Sequence, residues 1–273
     1  IEINQLNLTN MKKYFIALIS VFFLISAFAQ KKKITSEELK PSDLSGLEFR
    51  SVGPAFMSGR IADIAINPEN ENEWYVAVGS GGVWKTVNSG TTWKPIADNE
   101  SFYSTGCITI DPHNTSKVWL GTGENVGGRH VGIGHGVYVS ENGGKSWKSM
   151  GLKSSEHISK IIVSPKDPNI VFVASQGPLW SSGGDRGLFK TNDGGKTWKN
   201  VLSVNEWTGV TDIVIDQLNP DILYAATWQR HRNVASYMGG GPGTSIYKST
   251  DNGKNWIEIK DGLPNSNLGK IGL

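Results

Sequence analysis

From about residue 60 onward, short apolar runs alternate with polar turn residues along this chain. One set of runs ends at an Asn, Asp or Ser before proline: Ile64-Ala-Ile-Asn-Pro68, Ile108-Thr-Ile-Asp-Pro112 and Ile161-Ile-Val-Ser-Pro165. A fourth, Ile213-Val-Ile-Asp216, reaches Asn219-Pro220 three residues later. Residues of high β-propensity running into such a turn signal predict a strand and its end. A second strand follows in each case: Trp74-Tyr-Val-Ala-Val78, Val118-Trp-Leu-Gly121, Ile170-Val-Phe-Val-Ala174 and Ile222-Leu-Tyr-Ala-Ala226. A third comes next: Gly82-Val-Trp-Lys-Thr86, Gly136-Val-Tyr-Val-Ser140, Gly187-Leu-Phe-Lys-Thr191 and Ser245-Ile-Tyr-Lys-Ser249.

Each third strand runs into the same phrase, Ser/Thr-x-Asp/Asn-x-Gly-x-Thr/Ser-Trp, loosened only at Asn255. Its tryptophans are Trp93, Trp147, Trp198 and Trp256, spaced by 54, 51 and 58 residues. The Asp or Asn holds a tight turn by accepting backbone N–H groups. The glycine two places on takes a positive φ without steric cost. The tryptophan then buries a large apolar body, with an N–H left to find a partner. The phrase therefore predicts a hairpin turn into a fourth strand. Four strands, A to D, recurring every fifty-odd residues predict an all-β fold of four-stranded antiparallel β-propeller blades. Four blades rarely close a ring, and Asn267 to Leu273 reads as the opening of another A strand. The expectation is an incomplete ring and an N-terminal fragment.

These phrases resemble the Asp-box (bacterial neuraminidase) repeat from about Leu47 to the end of the chain. The runs Ser51-Val-Gly-Pro-Ala-Phe-Met-Ser-Gly-Arg60 and Gln176-Gly-Pro-Leu-Trp-Ser-Ser-Gly-Gly-Asp-Arg186 look like the bacterial sortilin-like group, often labelled glycosyl hydrolases. The resemblance implies a secreted propeller that binds a peptide, protein or glycan. A polysaccharide-active hydrolase, xyloglucanase- or sialidase-like, is the alternative, and an assembly factor resembling the photosystem II stability propeller is another. Asp-box xyloglucanases carry an Asp in a first-blade Thr-Asp-Ile/Val-Gly-Gly-x-Tyr-Arg phrase. Here that run reads Val78-Gly-Ser-Gly-Gly-Val-Trp-Lys85, with Gly79 at the Asp position. Sialidases open with Phe-Arg-Ile-Pro, against Phe49-Arg50-Ser51-Val52 here. Both departures disfavour an enzyme.

The ends bound the compartment. Residues 1–10 carry no structural signal, and Met11 is the first methionine. Lys12-Lys13, an apolar run over 14–28 and Ala27-Phe-Ala29 describe a secretory signal peptide over 11–29. The run is short for a span of about 20 residues, so no stable membrane span is expected after cleavage. Residues 30–46 are a charged linker, and the blades occupy 47–273. The protein is expected to be secreted, periplasmic or at the cell surface. Without residues 1–29 the chain has 25 basic and 24 acidic residues, no footprint for nucleic acid. Cys107 stands alone, between Gly106 and Ile108, which suits a buried inert thiol.

In a propeller the A–B and C–D turns share one face, and the B–C and D–A loops share the other. The Asp boxes make the C–D face repetitive, whereas the B–C and D–A loops vary and so can carry function. Ligand-binding candidates there are Arg60, Glu124, Arg129, His130, Trp180, Asp185, Arg186, Trp228 and Arg230. Aromatics suit stacking and arginines suit carboxylates. Glu124, Glu156, Asp185 and Glu206 are candidates for the carboxylate pair a glycosidase needs. His130, His135 and His231 come from two loops without a recognised ligand spacing, and Gly121-Thr-Gly123 opens no helix. No metal or cofactor is expected.

Overall fold

The computed structural model describes residues 40–46 and 59–273. The signal-type segment over 11–29 and most of the linker lie outside them. The chain divides at Pro54/Ala55 into two units. In the first, the described residues hold a 3-10 turn, Pro41–Leu44, whose Asp43 Oδ2 accepts the Lys40 N–H at 2.9 Å.

The second unit holds the four expected blades. Blade one is β1 (Ile61–Ile66), β2 (Trp74–Val78), β3 (Gly82–Thr86) and β4 (Lys94–Pro95). Blade two is β5 (Thr105–Asp111), β6 (Asn114–Thr122), β7 (Val137–Ser140) and β8 (Lys148–Ser149). Blade three is β9 (Ile158–Val163), β10 (Val171–Ser175), β11 (Gly187–Thr191) and β12 (Lys199–Leu202). Blade four begins with β13 (Thr208–Ile215) and β14 (Leu223–Gln229), then inserts a hairpin, β15 (His231–Arg232) with β16 (Tyr237–Met238). It ends with β17 (Ile246–Ser249) and β18 (Ile257–Ile259). Every blade is an antiparallel sheet in chain order.

The core lies between blades, which explains why the strands read as apolar runs and not as strict alternation. A strand covered on both faces has no solvent side. Val118 and Leu120 of β6 pack toward blade one, and Trp119 packs toward blade three. Val171 and Val173 of β10 face back to blade two, while Phe172 and Ala174 face blade four. Cys107 is buried in the cluster between blades two and three, and burial pushes its thiol well above its ordinary range. Ile64 and Ile66, on the side of blade one turned from blade two, are exposed.

Adjacent A strands lie side by side and are clipped by side chains. Asp63 accepts the N–H of Ile64 through Oδ1 and that of Ile108, in the next blade, through Oδ2 at 3.0 Å. Asp212 repeats the device, accepting Ile213 N–H and Leu273 N–H. Thr109 Oγ1 donates to Ile161 O, and Ser159 Oγ to Val210 O.

The Asp boxes form the C–D turns. In blade three, Thr191 Oγ1 accepts the N–H groups of Asp193 and Gly195, and Asp193 Oδ1 accepts that of Thr197 at 2.9 Å. Blade four repeats this with Ser249, Asp251 and Gly253. Two consecutive residues take positive φ, not one: Gly194 and Gly195 at 72° and 90°, Asn252 and Gly253 at 60° and 74°. Trp147 and Trp198 are half-buried struts between blades, where the sequence suggested buried bodies, and Trp93 is exposed. Trp198 Nε1 donates to Met150 O of blade two at 2.7 Å, and Trp147 Nε1 to Ile96 O of blade one at 3.3 Å.

Candidate functional site

One backbone bond recurs at the loop end of every blade. The residue leaving strand B donates to the residue entering strand A: Gly79 to Arg60 O, Gly123 to Ser104 O, Gln176 to His157 O and Arg230 to Trp207 O. Arg60, Ser104, His157 and Trp207 thus hold equivalent places around the mouth of the blade array. They are chemically unlike, so the mouth is varied where the opposite face is uniform.

At the seam of blades one and two, Arg60 meets Glu124. Arg60 Nε donates to Glu124 Oε1 at 2.6 Å, and Nη2 lies 2.6 Å from the same oxygen. Gly132 N–H donates to Oε2 at 2.9 Å. Arg60 Nη2 also reaches Ser80 Oγ at 3.2 Å. The carboxylate is 2% exposed, although its partner is an exposed side chain. A Cβ on Gly79 would fall 2.5 Å from Glu124 Oε1, so the carboxylate fills the space beside the side-chain-free position.

Across blades three and four a second arginine group behaves differently. Among the described residues Arg186 donates only to backbone carbonyls: Gln176 and Trp207 through Nη1, Pro178 and Ser181 through Nη2, and Gly183 through Nε. Arg230, fully buried, donates to Val126 O at 2.9 Å and Gly177 O at 3.1 Å and lies over the Trp228 ring. Arg232 donates twice to Gly127 O and covers Tyr237. Arg129 returns the link, donating to Val234 O at 2.7 Å. The β15–β16 hairpin of blade four therefore crosses blade three and is fastened to the B–C loop of blade two. Burial, with Arg186 beside it, pushes the Arg230 guanidinium below its ordinary value.

His157 sits in this frame with both ring nitrogens buried and, among the described residues, without a well-formed hydrogen bond. Burial, then the charges of Arg230 and Arg186, pushes it down to about 3, so the ring is neutral at pH 7. Glu156 Oε2 lies 3.9 Å from its Nε2.

The nine candidates do not form one cluster. Arg60 and Glu124 are together at one seam. Arg186, Trp228 and Arg230 are buried members of the arginine frame, and the Trp228 indole N–H donates to Gly239 O. Asp185 Oδ2 accepts Ser154 N–H at 2.9 Å. Arg129 and His130 are exposed on the blade-two loop. Trp180 is exposed too, at 43%, and Tyr103 is more so, at 66%. Trp207 packs against His231 with ring centroids 4.2 Å apart and the planes tilted by 52°. Sequence reasoning passed over Ser104, whose Oγ is buried and has no partner among the described residues, and Arg232 and Tyr237 as a stacked pair. Nothing local marks Ser104; only the fold sets it beside Gly132.

Comparison with known proteins agrees with this architecture. A family model described as Sortilin, neurotensin receptor 3, matches residues 135–269. A probable oligoxyloglucan-reducing end-specific xyloglucanase of Neosartorya fischeri is 24% identical over 232 residues, 78% of this chain and 25% of the relative. A xyloglucanase of Acetivibrio thermocellus is 26% identical over 228 residues, covering 72% and 25%. The chain spans about a quarter of the length of these relatives. Among solved structures, an ancestral GH74 enzyme superposes with a TM-score of 0.59 at 20% identity, over 75% of this chain and 26% of that one. The GH74 enzyme of Niastella koreensis gives 0.54 at 19% identity, over 71% and 28%. At such identities the structural likeness speaks to the fold alone, a β-propeller.

Proposed function

We propose that this Asp-box propeller uses its B–C/D–A loop face to hold a polysaccharide chain of the xyloglucan type. The observation that carries the reading is a pre-organised face with exposed rings on it. The loops of blades two, three and four are tied to one another by arginine-to-carbonyl bonds, while Trp180 and Tyr103 project into solvent. Rigid loops lower the entropy lost on binding, and flat aromatic faces fit the C–H faces of sugar rings. Relatives named as xyloglucanases favour a glycan over the peptide or protein ligand that the sequence also allows. Affinity electrophoresis of the full-length protein in xyloglucan gels tests this. Retardation that weakens in Trp180→Ala is expected, and unretarded wild-type protein would discard the glycan reading.

A second reading is hydrolysis of the same polymer. It draws on the names of the relatives and on Glu124, a carboxylate buried at the mouth beside Gly79. A glycosidase needs a second carboxylate facing the sugar, and Glu156, Asp185 and Glu206 are loop-face candidates. Reducing ends released by wild type and not by Glu124→Gln would favour this reading over binding alone.

Export is part of the proposal. It rests on the signal-type segment over 11–29, and a mature N-terminus at Gln30 is expected by mass spectrometry. Among the described residues no helix is long and apolar enough to cross a membrane.

A further inference from the structure

We propose that the pocket between the C–D edge of blade three and the Asp box of blade four binds a tetrahedral oxyanion, phosphate or sulfate, around Lys190. The site lies beside the C–D turns and not on the loop face, so it is independent of the glycan reading.

Strand C carries a lysine in three blades, each over an aromatic ring of strand B. Lys85 lies 4.7 Å from the Tyr75 ring, Lys190 5.2 Å from Phe172 and Lys248 5.4 Å from Tyr224. The first two reach into the Asp box of the next blade. Lys85 Nζ donates to Gly143 O at 3.3 Å, and Lys190 Nζ to Asn252 O at 2.7 Å and Asn252 Oδ1 at 3.1 Å.

The two seams differ in what answers the charge. Between blades one and two, Glu73 Oε2 lies 3.1 Å from the Lys85 ammonium, and Tyr75 Oη accepts from it at 2.8 Å. Tyr75 pairs with Lys85 as Phe172 pairs with Lys190, so Ile170 stands in the place of Glu73. The counter-ion has become an alkyl chain, and the phenol a bare ring. Among the described residues Lys190 forms no ion pair. Yet it is only 8% exposed. A buried charge without an opposite charge is costly, and an ammonium has three donors, of which Asn252 takes two.

The space for an anion adjoins it. A pocket of about 460 Å³ is lined by Lys190, Lys199 and Lys254, with the amides of Asn192 and Asn200. Among the described residues no carboxylate lines it. The nearby box carboxylates are engaged in their own turns: Asp193 holds Thr197, and Asp251 holds Lys254 and Asn255. Burial, then the charge of Lys254, pushes the Lys190 ammonium below its ordinary value, against the pull of Asp221 and Asp251. Three ammonium groups around one pocket suit a compact anion with acceptors on every side. Lysine meets phosphate as a point charge, whereas a planar carboxylate fits the fork of a guanidinium better. The volume exceeds that of a bare ion, so the oxyanion is either free or an ester on a larger molecule.

The test is calorimetric titration of the full-length protein with sodium phosphate and sodium sulfate, against sodium chloride at matched ionic strength. Dextran sulfate beside plain dextran forms a further arm. Saturable binding of an oxyanion is expected. Lys190→Met should weaken it about 10- to 100-fold, the effect of losing a charge-assisted hydrogen bond. Lys199→Ala and Lys254→Ala should each weaken it about 2- to 5-fold, as for exposed charges. Ile170→Glu rebuilds the blade-one counter-ion beside Lys190 and should abolish binding, with a thermal midpoint in chloride no lower than wild type. Binding of dextran sulfate alone, lost in Ile170→Glu, would support the site and put the oxyanion on a polymer. If Lys190→Met or Ile170→Glu does not fold, the double variant Lys199→Ala/Lys254→Ala decides. No saturable binding by wild type, or wild-type affinity in the folded variants, would overturn the site. Neither result touches the glycan reading, whose probe is uncharged.

Discussion

The two faces of the blade array are held by opposite means. On the Asp-box face, the bonds are local: each turn is closed by a Ser or Thr hydroxyl and an Asx carboxylate or amide within four residues of their partners. On the loop face, the bonds are long-range. Arg230 reaches Val126 across 104 residues, Arg232 reaches Gly127 across 105, and Lys270 reaches Asn125 across 145. Local bonds form in any blade that folds. Long-range bonds form only when several blades already stand in place, so the loop face is a product of the assembled array. The difference teaches which face can vary: a turn that closes itself admits only near-equivalents at its key positions, Ser for Thr or Asn for Asp, while loops fastened to carbonyls accept many sequences.

The sharpest test of this contrast is Arg230→Met. It leaves the carbonyls of Val126 and Gly177 without their donor and removes a buried stacked group, and it should cost about 3–5 kcal/mol in denaturant unfolding. Hydrogen exchange should quicken in the blade-two B–C loop as well as in blade four. Exchange confined to blade four would mean that the strap is not fastened as described.

Next in size is a comparison inside the Asp-box face. Trp198 has an inter-blade bond and an edge contact with Trp119 at 6.4 Å, whereas Trp93 is 39% exposed. Trp198→Ala should cost about 2–4 kcal/mol and Trp93→Ala about 1 kcal/mol or less, values scaled to partial burial of an aromatic. Equal denaturation midpoints would remove the strut role.

A third test uses acid. His157 faces Arg186, Arg230 and Glu156, and its folded value near 3 lies below the ordinary 6.5. Between those values the unfolded chain binds the proton and the folded chain does not, so stability falls as pH falls. The loss should be on the order of 2–3 kcal/mol between pH 7 and pH 4.5. His157→Gln should flatten that part of the curve, and an unchanged slope would count against a neutral buried ring.

The smallest effect belongs to the exposed box carboxylates. The Asp251 carboxylate is held down to about 2 by N–H and side-chain bonds from Asn255. Its contribution is present above pH 4 and is lost as pH falls toward 2. Asp251→Asn should abolish that final acid step and change little at neutral pH. A large neutral-pH loss would show that one box supports more than its own turn.

Residue patterns alone determined the blade count in this stretch, the strand order, the position of every C–D turn and the presence of an inter-turn tryptophan. They could do so because a repeated unit writes its local rules four times: Ser/Thr, Asx, Gly and Trp each act on neighbours a few residues away. The half-exposed state of Trp198 was not legible, because its partner Met150 belongs to another blade. On the loop face, the tertiary structure made the decisions. Arg60, Arg186 and Arg230 look alike as loop arginines, yet one meets a carboxylate and two donate to backbone carbonyls. Ser104 comes to lie against Gly132 only through the fold. A side chain's partner there lies in another blade, at a sequence distance no motif spans, and only folding brings the two within hydrogen-bond reach.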